Sequence, residues 1–317
     1  MRQKWLLNPL SIGVTSEYGR ESSGVGMILP DLILKTRQNQ SWKFSGIDSL
    51  EHCRDQNHFK NYPYDVTYQY NSRGFRDTEW PKDLQGLKQA IWCIGDSFTV
   101  GLGSPLEHTW PWLLQQQTGI RTINVSMDGA SNHWIARKAN QIIDKISPTT
   151  IIIHWSYIWR REDLDSSKTD EQRRNQFDDS VFKNDNDNFI KILQQFKDLV
   201  SDTKIIHSVI PEFSCVSRLS ALHIWKQLQG PDWPELPSSI DGFNSLNTGI
   251  ATELKKFNSY DDFNDHFKFL EQYNSLEYTV PEFEKMDLAR DGHHYDKITA
   301  TNFVAQLLSS TAFPRQQ

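Results

Sequence analysis

An α/β fold built on a parallel sheet is what this chain predicts, and three observations carry that expectation. From Gln89 onward, strand-like apolar runs alternate with helix-like amphipathic segments at the spacing of βαβ units. A Gly95-Asp96-Ser97 turn stands at the end of the first of those runs, where open α/β folds place their sites. With 317 residues, the chain is long enough for one large domain, or a domain with an appendage, around a substantial core.

Taken in order, residues 1–88 are rich in polar and turn residues and show no sustained helical period. They offer short candidate strands at Met27–Leu34 and Val66–Tyr70 and read as an N-terminal extension or cap. Residues 89–312 read as the main domain. It opens with strand Ala90–Ile94, a helix from Thr109 to Gln117, strand Thr122–Ser126, helix Trp134–Ile146 and strand Thr150–Trp155. Parallel strands joined this way imply right-handed crossovers. A charged stretch, Asp163 to Asn188, leads into an amphipathic helix at Phe189–Val200, and Lys204–Ile210 follows as a buried strand closed by Pro211. Residues 214–280 are long for a connection and read as an inserted helical region near the site, either a lid or a peripheral bundle. Lys297–Leu308 is the expected closing helix.

Composition excludes several function classes. A formal charge of −6 and a pI near 5.9 leave no broad electrostatic footprint for nucleic acid. Cys53, Cys93 and Cys215 are odd in number, widely spaced and free of any Cys-x-x-Cys pattern, so they read as reduced thiols, with Cys93 in the core. The apolar stretch near Met1 is short and broken by Asn8-Pro9, which argues against a signal peptide. No run approaches the roughly 18 consecutive apolar residues of a membrane span. The expectation is a soluble, cytoplasmic-type protein without nucleic-acid or membrane partners. Eleven tryptophans suit sugar faces, and equally suit a core.

The chemistry concentrates at two places. A serine at a strand-to-helix turn is exposed at the carboxyl end of the sheet, with the backbone N–H groups of the next helix directed toward it. About two hundred residues later comes Asp291-Gly292-His293-His294. The Asp-x-x-His spacing lets the carboxylate reach the imidazole Nδ1 within one turn, leaving Nε2 to accept a serine proton. Nucleophile, base and orienting carboxylate are thus present as Ser97, His294 and Asp291.

Ile94-Gly95-Asp96-Ser97-Phe98-Thr99-Val100-Gly101 resembles the first block of the SGNH, or GDSL, hydrolases, and Asp291-x-x-His294 resembles their last. Asn124-Val125-Ser126-Met127-Asp128-Gly129-Ala130-Ser131 is similar to their second. The upstream Asn71-Ser72-Arg73-Gly74-Phe75-Arg76-Asp77 and the Glu107-His108-Thr109-Trp110-Pro111 run resemble a branch associated with polysaccharide O-acylation and deacylation. The resemblance implies a three-layer α/β/α fold, no cofactor, and a Ser-His-Asp triad with oxyanion donors from the backbone of Ser97 and Gly129. It departs at the third block: the family's oxyanion-hole asparagine falls at Ile158, which cannot donate. Ser156 is the expected substitute, with Asn132 second.

Each motif has a plainer counterpart. Asp96 can cap the helix or brace the loop without meeting substrate. Asp291-Gly292-His293-His294-Tyr295-Asp296 is too contiguous for a closed tetrahedral metal site, so no metal is expected. Arg160, Arg161 and Glu162 read as a solvated, salt-bridged turn, with lining of the site as the alternative. Arg73 and Arg76 read as anchors of the extension. The expected function is a serine esterase acting on small acyl groups, acetyl foremost, carried by a small-molecule or polysaccharide substrate. An O-acyltransferase with the same triad and a non-catalytic module of the same fold remain the alternatives.

Overall fold

The computed structural model describes residues 29–157, 160, 162, 167–173, 182–197, 202–210 and 287–309. Its centre is a four-stranded parallel sheet: β3 (Ile91–Gly95), β4 (Thr122–Ser126), β5 (Thr150–Trp155) and β6 (Lys204–Val209), in the order β4-β3-β5-β6. Every residue of β3, β4 and β5 is buried. Strands covered on both faces need apolar side chains along their whole length, which the Ile151-Ile152-Ile153 run in β5 supplies.

Two short antiparallel strands, β1 (Ser41–Trp42) and β2 (Tyr68–Gln69), lie outside this sheet. The helices are α1 (Leu50–Cys53), α2 (Asn57–Asn61), α3 (Leu84–Gln89), α4 (Ser97–Val100), α5 (Trp110–Thr118), α6 (Asn132–Ile146), α7 (Asp170–Arg173), α8 (Phe182–Lys197) and α9 (Lys297–Ser309). Alternation along β5 displays the layers. The His154 ring meets Trp110 of α5 and Phe303 of α9, while its neighbour Trp155 meets Phe189 and Phe196 of α8. Helices therefore cover both faces, and the architecture is three-layered α/β/α.

Helix α6 begins two residues before the expected Trp134, because the Ser131 side chain caps it by accepting the Trp134 N–H at 3.2 Å. Its buried stripe of Ile135, Ala139, Ile142, Ile143 and Ile146 follows the helical period. The chain leaves β3 through α5 to reach β4, then crosses back over β3 through α6 to reach β5. That reversal makes the carboxyl end of β3 the topological switch point of the sheet. Ser97 is the second residue beyond it.

One expected element is corrected. Leu29–Leu34 forms no strand; Leu29, Leu32 and Leu34 are buried in the main core. The carbonyls of Leu29 and Leu32 accept from the Arg73 guanidinium, the latter at 2.9 Å, instead of from a neighbouring strand. Met27, the 214–280 insertion, Cys215 and residues 198–200 of the expected Phe189–Val200 helix lie outside the described residues. Trp80, Trp92, Trp110, Trp134 and Trp155 are core side chains, so the sugar reading does not apply to them. Cys93 is buried as expected. No helix among the described residues is long and apolar enough to cross a membrane.

Candidate active site

Ser97 opens α4, directly after the Asp96 that ends the β3 turn. Its Oγ lies 2.8 Å from His294 Nε2, and His294 Nδ1 lies 2.5 Å from Asp291 Oδ2. A carboxylate only accepts, so Nδ1 carries the ring hydrogen and Nε2 is left to accept from the Ser97 hydroxyl. The other Asp291 oxygen accepts the backbone N–H groups of His293 and His294, each at 3.0 Å. All three side chains are buried, with Ser97 only 2 % exposed. Burial alone would raise the Asp291 pKa, but His294 and His293 bring it below the ordinary carboxylate value. The carboxylate stays ionised at neutral pH.

The loop after β4 is a turn closed by the Ala130 N–H on the Met127 carbonyl at 3.0 Å. Gly129 has a φ of +71°, which the third residue of such a turn demands and a glycine supplies without strain. The Gly129 N–H is not spent on closing the turn.

Asp96 is fully buried and serves as a brace. Its Oδ1 accepts the Phe98 N–H at 3.0 Å, and its Oδ2 accepts from the Ser156 hydroxyl at 2.6 Å and from Arg160 Nη1 at 2.7 Å. Asn132 and Ser156, expected as oxyanion donors, are joined to this network instead. Asn132 Oδ1 accepts the Ser156 N–H at 2.8 Å, and its Nδ2 donates to the carbonyls of Ser156 and Tyr157 at 2.9 Å and 3.4 Å. Both side chains therefore tie the end of β5 to the Ser97 turn, and the single Ser156 hydroxyl hydrogen is engaged by Asp96. Ile158 lies outside the described residues.

Arg160 is not a solvated turn residue. Its guanidinium pairs with the buried Asp96 and stacks over the Tyr157 ring at 4.8 Å, while Glu162 pairs with Arg137 at 2.6 Å. His293 packs against Phe98 beside the triad. Burial first, then His294, with Arg160 adding to them, holds the His293 pKa below the ordinary value. His293 is a neutral neighbour of His294. Grooves of about 690 Å³ and 460 Å³ on the flank of α6 include none of Ser97, His294 and Asp291.

No protein-family profile matches the chain, and no curated protein does. Among solved structures it is similar to the esterase EstA of Pseudoalteromonas sp., at 14 % identity over 70 % of this chain and 96 % of that one, with a TM-score of 0.35. It is similar to a carbohydrate esterase family 2 enzyme of Corynascus thermopiles with a carbohydrate binding domain, at 12 % identity over 76 % and 68 %, TM-score 0.36. A lipase/acylhydrolase of Enterococcus faecalis gives 14 % identity over 72 % and 100 %, TM-score 0.35. The chemistry open to Ser97 follows from its own contacts rather than from these likenesses.

The segment that carries Asp291 and His294 is gripped by the extension. Arg290 forks onto the buried Asp48 at 2.9 Å and 2.6 Å, and Asp48 also accepts from Tyr68 Oη at 2.5 Å. Tyr68 Oη in turn accepts the Gly103 N–H at 2.7 Å, and the Gly103 carbonyl accepts the Arg290 N–H at 2.9 Å. His58 Nε2 donates to the Ala289 carbonyl at 2.7 Å. At the far end, Asp296 accepts from Tyr62 Oη and pairs with His108 Nδ1 at 2.8 Å. Arg76 is an anchor, donating to the carbonyls of Val100, Gly101 and Ser104 from a buried position. Asp48, Tyr68 and Arg290 escaped the sequence reading, because no local pattern marks them. His108 sits inside the Glu107–Pro111 run, whose signal was there without its partner.

Proposed function

We propose that the protein is a serine esterase that removes small acyl groups, acetyl foremost, from hydroxyls of a carbohydrate. The observation that carries the reading is the unbroken line from Ser97 Oγ through His294 to Asp291, at 2.8 Å and 2.5 Å. In the first step the Ser97 oxygen bonds to the ester carbon and its proton passes to His294 Nε2. The carbonyl π pair moves to oxygen, where the backbone N–H groups of Ser97 and Gly129 receive it. Collapse expels the sugar alkoxide, which takes the proton from His294. Water then repeats the sequence on the acyl-enzyme. Asp291 keeps the imidazole in the required tautomer and balances its positive charge.

The carbohydrate assignment is supported by the Asn71–Asp77 and Glu107–Pro111 blocks and their resemblance to the O-acyl branch. The burial of Ser97 favours a second reading, acyl transfer to a sugar hydroxyl, since a site that excludes water spares its acyl-enzyme from hydrolysis.

The test is intact-mass labelling by a fluorophosphonate on the wild-type chain, Ser97→Ala and His294→Ala. One adduct on the wild type, absent from both variants, is expected. A folded wild type that takes no adduct removes the esterase and transferase readings together. Product analysis with an acetylated sugar, with and without an acceptor sugar, then separates release of acetate from transfer.

A further inference from the structure

We infer that Arg160 is the side-chain donor to the oxyanion: the unbonded edge of its guanidinium takes the negative charge that forms on the ester carbonyl oxygen when Ser97 attacks. The inference rests on the serine-esterase reading above and adds a catalytic residue to it.

Three observations point there. First, the guanidinium is fixed on the wall of the Ser97 turn. Nη1 is 2.7 Å from Asp96 Oδ2 and 2.9 Å from Ser156 Oγ, Tyr157 lies beneath the plane at 4.8 Å, and Asp96 itself bonds the Phe98 N–H of the same turn. Second, among the described residues only Nη1 has an acceptor. Nε and Nη2 have no acceptor among the described residues, although the side chain is only 16 % exposed. An arginine carries five N–H donors in a rigid fork, and a fork held by one prong presents the rest in a set direction. Third, the two side chains expected as donors, Ser156 and Asn132, have their hydrogens engaged within the protein. Ser156 gives its hydroxyl hydrogen to Asp96, and Asn132 gives its amide hydrogens to two carbonyls.

Charge makes the same demand. When the Oγ–C bond forms and the proton reaches His294, the site holds the anions Asp96, Asp291 and the oxyanion against one imidazolium. Asp96 is the residue before the nucleophile and is fully buried, so its charge would oppose the oxyanion directly. Arg160 sets its one positive charge against Asp96 through Nη1 and offers its remaining N–H groups to the new anion as hydrogen-bond donors.

The experiment follows the rate of fluorophosphonate labelling, and kcat and KM for 4-nitrophenyl acetate, in the full chain. Losing one preorganised oxyanion donor costs about 100-fold to 1,000-fold in kcat, so Arg160→Met is expected to fall by at least about 100-fold with KM little changed. Arg160→Lys, which keeps the charge but loses the fork, is expected to recover part of that. The double variant Asp96→Asn/Arg160→Met leaves no buried charge unpaired and carries the readout even if Arg160→Met alone fails to fold. It stays slow if Arg160 is a donor. Recovery of the double variant to within about threefold of wild type would mean that Arg160 only neutralises Asp96, and the inference fails. A raised KM with kcat intact overturns it as well, making Arg160 a substrate-binding group. An unlabelled wild type counts against the esterase reading itself, whereas a labelled wild type with Arg160→Met unaffected counts against Arg160 alone.

Discussion

Both oxygens of Asp291 are committed, one to two backbone N–H groups and one to the His294 ring. Replacing it by asparagine keeps the size but turns one of those atoms into a donor. An amide N–H facing Nδ1 drives the ring hydrogen to Nε2, where it points at Ser97 and can no longer receive the serine proton. Asp291→Asn is expected to lower the labelling rate by about 10⁴-fold while the chain stays folded, the loss seen when an orienting carboxylate is neutralised in such a triad. Circular dichroism beside the labelling assay checks it, and a loss under about tenfold would mean that Asp291 does not set the tautomer. Ser97, His294 and Asp291 were legible because each stands in a local pattern, a strand-to-helix turn or a one-turn Asp-x-x-His. Arg160 was legible only as the alternative to a solvated turn, and Arg290 was not. Their carboxylates, Asp96 and Asp48, stand 64 and 242 residues away, and a lone arginine in a sequence looks like surface charge.

The strands of the central sheet were readable from the sequence for a physical reason: burial on both faces forces apolar runs, and the helices between them carry a 3.6-residue stripe. Leu29–Leu34 shares the apolar content without being a strand, since the carbonyls of Leu29 and Leu32 accept from Arg73, an expected anchor whose partners no local rule names. The same non-locality hides how the extension meets the site. Gly103, whose N–H meets Tyr68 of the extension, packs directly against the segment that carries Asp291. Its φ is +77°, and a Cβ there would lie 2.8 Å from Ala289 Cβ, 3.0 Å from the Arg290 nitrogen and 3.1 Å from Asp291 Cγ. Gly103→Ala therefore combines backbone strain with a push on the segment that holds the orienting carboxylate. A stability loss of about 1–3 kcal/mol is expected from the strained conformation, together with slower Ser97 labelling. Denaturant midpoints and labelling rates measured on the same preparation decide it. Unchanged labelling at reduced stability would separate the Gly103 turn from the positioning of Asp291.

Across the whole molecule, two histidines, His154 in the core and the half-buried His207, have their pKa values held below the ordinary range. His154 is 1 % exposed, packed between Trp110 and Phe303, with Nδ1 on Ser208 Oγ at 2.8 Å and Nε2 without a partner. Burial pushes its pKa down to about 3, and burial likewise brings His207 to about 4. An unfolded histidine titrates near pH 6.5. Between pH 6.5 and those lower values the unfolded chain binds protons that the native chain refuses, so stability falls as pH falls through that window. His154 alone accounts for about 2 kcal/mol at pH 5 relative to pH 7.5 or above. Asp77 works in the opposite sense. Burial raises its carboxyl to about 6 despite Arg121, so the native state takes up a proton there before the unfolded chain does. The two contributions separate in His154→Phe. Ser208 Oγ still donates to the Ile153 carbonyl at 3.2 Å, so the substitution orphans no buried hydroxyl and removes an unpaired ring nitrogen from an aromatic pocket. Urea unfolding at pH 7.5 and pH 5 is expected to show similar stability for wild type and variant at the higher pH. At the lower pH the variant should be ahead by about 2 kcal/mol. Equal losses in both chains on acidification would mean that His154 is protonated within the fold, and that the pocket between α5 and α9 admits water or an anion to hold the charge.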